Sequence, residues 1–263
     1  MASVNPAPRS KLVPGNATAS LILVRRIRVM TITYFVFFEN YEHPAARMSE
    51  ADKNGFCDII RRTPGLLKAH VFTPANVGGP FRDDGPPPQF ALQLCFASLP
   101  ELEAVLAPDG HLQSLASGEI SSSLAGAVAS QQAMTTRSFP VPVPRRETPC
   151  GAPHCSYLVH YPGHAEDFND WLKYYLSHHP QLMKSMPGIR EIEIFTRLDW
   201  CDSMPWRRVH HMQRNKLVFD SEAALARALD SPAMFDMRAD FRKFPPFVGG
   251  NLHYPMITST VVG

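Results

Sequence analysis

Eight of the eleven histidines in this 263-residue chain lie from residue 154 onward: His154, His160, His164, His178, His179, His210, His211 and His253. Histidine has the side-chain pKa nearest neutrality, so such a concentration suits proton transfer. His179 follows His178 in a segment of helical composition. Read as the end of that helix, it sits where the dipole favours imidazolium and where a neighbouring imidazolium disfavours it. His160 alternates with Leu158 on a strand-like run and His253 lies on the last such run, so both are expected to line one pocket. Tyr157, and after it Tyr161 and Tyr254, could donate a phenolic hydrogen bond to a substrate carbonyl or enolate. The candidate acid/base set is therefore His179, His160, His253 and Tyr157.

Binding surface is sought next to these groups. Trp200 and Trp206 flank a loop with Asp199, Asp202, Met204 and Pro205, expected to lid an aromatic pocket. Trp171, His178 and Tyr254 are the further candidates for contact with a ligand. His210 and His211 straddle the two faces of a strand, so only one is expected to point inward. No Gly-rich phosphate loop, dinucleotide fingerprint or Gly-x-Ser-x-Gly occurs, and no organic cofactor is expected. The cluster Cys150, His154 and Cys155 reads as incidental thiols in a linker, because a zinc site wants four ligands at recognisable spacing. No metal is expected.

The elements that must position these residues come from an internal repeat. Thr63-Pro-Gly-Leu-Leu-Lys-Ala-His-Val-Phe-Thr-Pro74 corresponds to Met186-Pro-Gly-Ile-Arg-Glu-Ile-Glu-Ile-Phe-Thr-Arg197, at an offset of 187 − 64 = 123. The same offset pairs Leu94 with Leu217, Phe96 with Phe219, Ser98 with Ser221, Leu102 with Leu225 and Tyr34 with Tyr157. Within each copy the order of strand-like and helix-like segments is β-α-β-β-α-β, the ferredoxin-like pattern. The first copy reads as strand 31–38, helix 44–62, strand 66–73, an irregular loop 75–88, strand 89–97, a broken helix 99–117 and strand 130–141. The second reads as strand 155–161, helix 165–185, strands 188–198 and 209–219, a broken helix 221–241 and strand 251–262. A ferredoxin-like sheet carries helices on one face only. The expected fold is α+β: two tandem ferredoxin-like units packed sheet to sheet as an intramolecular barrel, which buries the second apolar face of each at about 25 cal/mol per Å².

The expected organisation is a disordered basic arm over 1–29, a first unit over 30–139, a Pro-rich linker over 140–154 and a second unit over 155–263. Residues 1–38 hold five basic residues and no acid, which leaves the remainder with 21 basic against 24 acidic groups. That body is a poor nucleic-acid binder. No apolar run is long enough to span a membrane. Five cysteines, an odd number without Cys-x-x-Cys, fit a reducing cytoplasm. The basic start also resembles a transit peptide, or an upstream start with Met30 as the true initiator.

The stretch Phe168-Asn-Asp-Trp171, Tyr175-Leu-Ser-His178-His179-Pro180-Gln-Leu182 and Met186-Pro187-Gly188-Ile189-Arg190 resembles the EthD family. That family shows an aromatic residue, a histidine four residues on, a nearby Pro-Leu and then Pro-Gly-Leu-Arg. Here Pro180 follows His179 directly, where the family usually has one residue between. The first copy has Phe56 at the position of His179, so a site built on that histidine is expected once, in the second unit. The resemblance implies a dimeric α/β-barrel, in a superfamily that includes cofactor-free monooxygenases, lactone isomerases and haem enzymes. It implies a small-molecule lyase, isomerase or cofactor-free oxygenase acting on a hydrophobic aromatic or polyketide-like compound. A non-catalytic binding barrel and a haem-binding tandem barrel are the other readings, and a homodimer of such barrels is compatible with the fold.

Overall fold

Strand β1 (Ile32–Glu39) is a run of β-branched and aromatic residues, and six consecutive positions of it are buried. A strand so buried must be covered on both faces. The computed structural model describes residues 30–78, 84–117, 122–144 and 152–263. The expected arm over 1–29 and Cys150 lie outside the described residues.

After β1 come α1 (Glu50–Arg61), β2 (Leu66–Pro74), β3 (Phe90–Phe96), α2 (Leu99–Leu106) and β4 (Val128–Phe139). Then follow β5 (His154–Tyr161), α3 (Phe168–Met183), β6 (Glu191–Arg197), the two-residue β7 (Arg207–Arg208) and β8 (Gln213–Phe219). Two helices, α4 (Glu222–Leu229) and α5 (Pro232–Phe241), and strand β9 (Leu252–Val262) complete the chain. In space the strands run β4-β1-β3-β2 in one half and β9-β5-β8-β6 in the other. Both sets are antiparallel. The β2–β9 ladder, with Phe72 opposite Thr258, and the β4–β6 ladder, with Thr136 opposite Phe195, join the halves. The result is a closed antiparallel barrel of eight strands, with β7 a short parallel addition to β4.

This corrects the expectation of two sheets packed face to face. The halves are continuous through edge-to-edge hydrogen bonds, so each hides the other's edge strands. The bounds of corresponding elements keep the sequence offset: β3 and β8 begin 213 − 90 = 123 residues apart, and α2 and α4 begin 222 − 99 = 123 apart. The Pro-Gly turns after α1 and α3 place Gly65 at φ 71° and Gly188 at φ 79°, a left-handed conformation that disfavours any side chain.

Several expected boundaries shift for local reasons. α1 starts at Glu50 because Ser49 caps it, its hydroxyl accepting from the Asp52 amide at 3.1 Å. α3 starts at Phe168 because Asp167 accepts from the Asp170 amide at 3.0 Å. The segment after Pro108 forms a separate 3₁₀ turn over His111–Ala116. His210 and His211 precede β8 rather than lying in it.

Three apolar clusters follow from strand alternation. One lies between the first half's outer sheet face and its helices, around Phe56, Phe90 and Leu102. The second is its counterpart, around Trp171, Tyr175 and Leu225. The third fills the barrel interior with Phe35, Phe37, Phe72, Leu158, Phe195 and Met256. Charged groups beside this interior core keep polar or ionic partners: Arg214, over the Phe37 ring, lies 2.7 Å from His160 Nδ1 and donates to Gln132 at 3.3 Å. Lys216 is fully buried, with Nζ 2.8 Å from Glu193 and 3.0 Å from Glu191. Burial pushes the Glu193 pKa up, but the Lys216 and Lys68 ammonium groups outweigh it and hold the carboxyl well below the usual carboxylate range.

Candidate active site

Helix α3 turns one stripe toward the sheet: Trp171, Tyr175, His179 and Met183, four residues apart and all buried. His179 thus belongs to the apolar face of its helix, and its neighbour His178 does not. His178 is exposed and stacks on Tyr174 with ring centroids 4.3 Å apart. The expectation of a helix-terminal imidazolium is overturned, because α3 continues to Met183 and carries His179 inward. Burial pushes the His179 pKa below its ordinary value, against the opposing pull of Asp240.

Asp240 comes from α5. Its Oδ2 lies 2.8 Å from Nδ1 of His179, and its Oδ1 accepts from the Tyr174 hydroxyl at 2.9 Å. Both carboxylate and imidazole are buried. With Nδ1 committed to Asp240, Nε2 is the nitrogen left to act on a bound molecule.

Beside His179 lies a cavity of about 290 Å³ between the outer face of the sheet and helices α3 and α5. Its walls include Tyr157, His179, Asn215, Asn251 and His253, with Met183, Met234, Met237 and Phe241 supplying the apolar surface. Tyr157 stacks on His253 at 5.4 Å, with the rings inclined by 20°. Its hydroxyl is buried and makes no hydrogen bond among the described residues. Burial, reinforced by the Asp84 carboxylate, pushes its pKa well above the ordinary phenol value, while Arg238 pulls the other way. It therefore stays a neutral donor. His253 Nδ1 lies 2.6 Å from Asp84 Oδ2, and the same oxygen accepts the His253 amide at 3.0 Å. Asn251 Nδ2 lies 3.2 Å from His253 Nε2. A buried polar chain backs the cavity floor, where Gln213 donates to Asn215 at 3.1 Å and Asn215 to the Tyr175 hydroxyl at 2.7 Å.

The structure separates the other expected members. His160 and His253 do not share a pocket. In the β5–β9 ladder His253 pairs with Val159 and His160 with Leu252, so the two histidines take opposite faces of the wall. His160 points into the barrel, 2.7 Å from Arg214 Nη1, with Tyr254 against it at 5.1 Å. Burial and the Arg214 charge push the His160 pKa well down. Tyr254 thus faces the interior rather than the cavity. His211 packs toward the same group, 5.7 Å from His160, and His210 is exposed. Trp171 is fully buried in an aromatic cluster with Tyr161, Tyr175 and Phe247, and acts as core.

Trp200 and Trp206 do not lid this cavity either. Their loop crosses to the first half, where Trp206 meets Phe38 at 5.7 Å and Arg208 covers Trp200 at 3.8 Å. There Phe56 occupies the place of His179, packed on Phe90 at 5.4 Å and Phe38 at 5.8 Å. The Tyr34 hydroxyl, counterpart of Tyr157, is tied to Gln131. The first half thus fills with rings what the second leaves open. A larger groove of about 700 Å³ lies elsewhere, along β2, β4 and β6. It contains neither histidine–carboxylate pair. No group of three or more metal-ligating side chains occurs among the described residues. No helix among them is long and apolar enough to cross a membrane.

No protein-family model matches the chain, and no curated protein matches it. Solved structures do. An anthrone oxidase-like protein superposes at TM-score 0.58 with 12% identity, over 89% of this chain and 94% of that one. A protein named as a monooxygenase from Lactobacillus acidophilus aligns at TM-score 0.48 with 9% identity, over 87% of this chain and 94% of that one. An ethyl tert-butyl ether degradation family protein from Bacillus halodurans aligns over 95% of its own length but 40% of this chain, at TM-score 0.31 and 19% identity. The first likeness, at this identity, shows the fold alone: an α+β fold built on a closed antiparallel barrel.

Proposed function

We propose that the chain is a tandem of two ferredoxin-like units forming one α/β-barrel, and that its second unit is a small-molecule enzyme working by proton abstraction without an organic cofactor. The observation that carries this reading is the meeting of three things in one cavity: His179 held by Asp240, His253 held by Asp84, and the unsatisfied Tyr157 hydroxyl. A carboxylate-fixed histidine kept neutral by burial is a general base, and a neutral phenol is a donor for a developing enolate oxygen. The apolar walls fit an aromatic or polyketide-like ketone, and the anthrone oxidase-like fold neighbour suggests an anthrone as a first substrate to try.

In this reading Nε2 of His179 removes a proton from the carbon activated by the ketone. Tyr157 donates to the carbonyl oxygen as negative charge moves onto it. His253 stands ready to return a proton or to hold a second oxygen. The enolate can then expel a β-hydroxyl, take its proton back elsewhere, or react with dioxygen. For an anthrone, one oxygen atom of O₂ enters the ring carbon as a carbonyl and the other leaves in water.

The test is hydrogen–deuterium exchange at the acidic carbon of an anthrone in D₂O without oxygen, followed by mass spectrometry. It reads the proton abstraction whatever happens to the enolate. Exchange faster than buffer, lost in His179→Ala, supports the reading. Binding without exchange makes the barrel a ligand carrier, and a Soret band in the purified protein makes it a haem protein; either result overturns it.

A further inference from the structure

The cavity floor carries a second phenol. Tyr157, Val159 and Tyr161 alternate along β5 with their side chains on one face, and all three line the cavity. Val159 stands level with Asn215 on β8 and His253 on β9. The two tyrosines therefore bracket the floor from either end, about 13 Å apart along the backbone. Tyr157 stacks on His253, while the Tyr161 ring is held by Trp171 at 5.4 Å, Tyr175 at 5.7 Å and Phe247 at 6.1 Å.

The polar chain under the floor ends on Tyr161. Gln213 donates to Asn215 and Asn215 to the Tyr175 hydroxyl, whose own proton goes to the Tyr161 oxygen. Asn251 donates to that same oxygen. The donors all point one way, and hydrogen bonds in such a chain polarise one another. Tyr161 thus accepts twice within the protein, and among the described residues no group accepts its proton in return. Burial pushes its pKa above the ordinary phenol value, against both of those bonds, so it keeps that proton. Core packing accounts for the ring at this position. It does not account for a hydroxyl that ends a directed chain at a cavity wall.

We infer that Tyr161 is a second substrate-contacting donor, and that with Tyr157 it makes the cavity selective for ring compounds bearing oxygen on two opposite edges. This rests on the reading of the cavity as a ligand site. The reacting carbonyl takes the Tyr157 proton, the far oxygen takes that of Tyr161, and the rings lie over Val159. A single hydrogen bond would let the ring system pivot in its plane; a second at the far edge fixes which carbon faces His179.

The experiment compares three ligands of one ring system by titration calorimetry: 2-naphthol, 2,6-dihydroxynaphthalene and 2,3-dihydroxynaphthalene, the last with both oxygens on one edge. The full chain, Tyr161→Phe, Tyr157→Phe and Tyr175→Phe are used, each with its melting temperature. The 2,6-diol is expected to bind the unaltered chain about tenfold more tightly than either of the others, as one further hydrogen bond allows. Tyr161→Phe should remove most of that preference, and so should Tyr157→Phe. Tyr175 does not line the cavity, so Tyr175→Phe only cuts the chain behind Tyr161 and should remove part of it. No preference for the 2,6-diol in the unaltered chain, or a preference that survives Tyr161→Phe, overturns the inference and leaves the cavity reading standing. Binding of none of the three compounds overturns both.

Discussion

The Asp84 carboxylate and the His253 ring stand 169 residues apart in the chain and 2.6 Å apart in space. Asp84 belongs to the loop between β2 and β3 of the first half, and His253 to the last strand of the second. The half that holds the His179 cavity is thus completed by a residue from the other half. Asp84→Ala should lower turnover by less than loss of His179 does, because it frees the ring without removing it. Asp84→Asn, which can still accept the His253 amide, should retain more. Steady-state rates of the two variants check the order, and unaltered turnover in Asp84→Ala would mean that His253 needs no positioning.

His179→Ala should reduce turnover by roughly 10²-fold or more, the usual cost of losing an acid/base group. The melting temperature should fall modestly, since the smaller side chain extends an existing cavity but takes the imidazole partner from the buried Asp240 carboxylate. Loss of fold, seen by circular dichroism, would assign His179 to the core instead.

The pH profile follows from the direction of the His179 shift. Its pKa lies below the ordinary histidine value, so the base is already neutral at pH 7. The rate should be flat around neutrality and fall in acid, with an apparent pKa under about 6.5. Asp240 opposes the effect of burial, so Asp240→Asn should move the acid limb to still lower pH. A limb that moves upward would contradict this arrangement.

Tyr157→Phe should separate stability from function. The hydroxyl is buried without a hydrogen bond, an arrangement that costs about 1–3 kcal/mol. Removing it should leave the protein as stable or more stable by chemical denaturation, while ligand binding and turnover both weaken. A clear loss of stability would mean that the hydroxyl is paired within the protein.

The opposite pattern is expected in the first half. Phe56 is fully buried among Phe38 and Phe90. Phe56→Ala should cost about 3–5 kcal/mol of stability, measured by denaturant titration, with little direct effect on the chemistry.

Acid should also unfold the barrel for a reason visible in its buried histidines. Burial holds His70 and His160 below their ordinary pKa. Below about pH 6.5 the unfolded chain binds protons at these positions that the folded chain does not. Their contribution is fully present above that pH and is lost as pH falls toward the folded values, by about 1.4 kcal/mol per unit for each group. Denaturant midpoints between pH 7 and pH 5 measure the slope, which should be shallower in His70→Gln.

Much of the fold was written in local pattern. The β-branched and aromatic runs, the two Pro-Gly turns and the constant offset locate the strands to within about four residues, while α1 begins 50 − 44 = 6 residues later than expected and α2 stops at Leu106. His179 was also legible, through its spacing from Tyr175. What pattern does not carry is register and partnership. Which face His160 and His253 take depends on His253 pairing with Val159 rather than with His160, a one-residue choice made by the closed barrel. Asp240 and Asp84 have no local signature, because their partners are 61 and 169 residues away. The Trp200–Trp206 loop misled because an aromatic loop looks the same whether it covers a ligand or the neighbouring half.

Strand β9 closes the barrel between β2 and β5, and it is the last strand in chain order. During synthesis the earlier strands must therefore wait with the β2 and β5 edges open until β9 leaves the ribosome. His253 arrives on that same strand, and with it the partner of Asp84 and the ring that stacks on Tyr157. The cavity and the seal are delivered together, so a nascent chain has no complete cavity wall before its sheet is safe from pairing with another molecule.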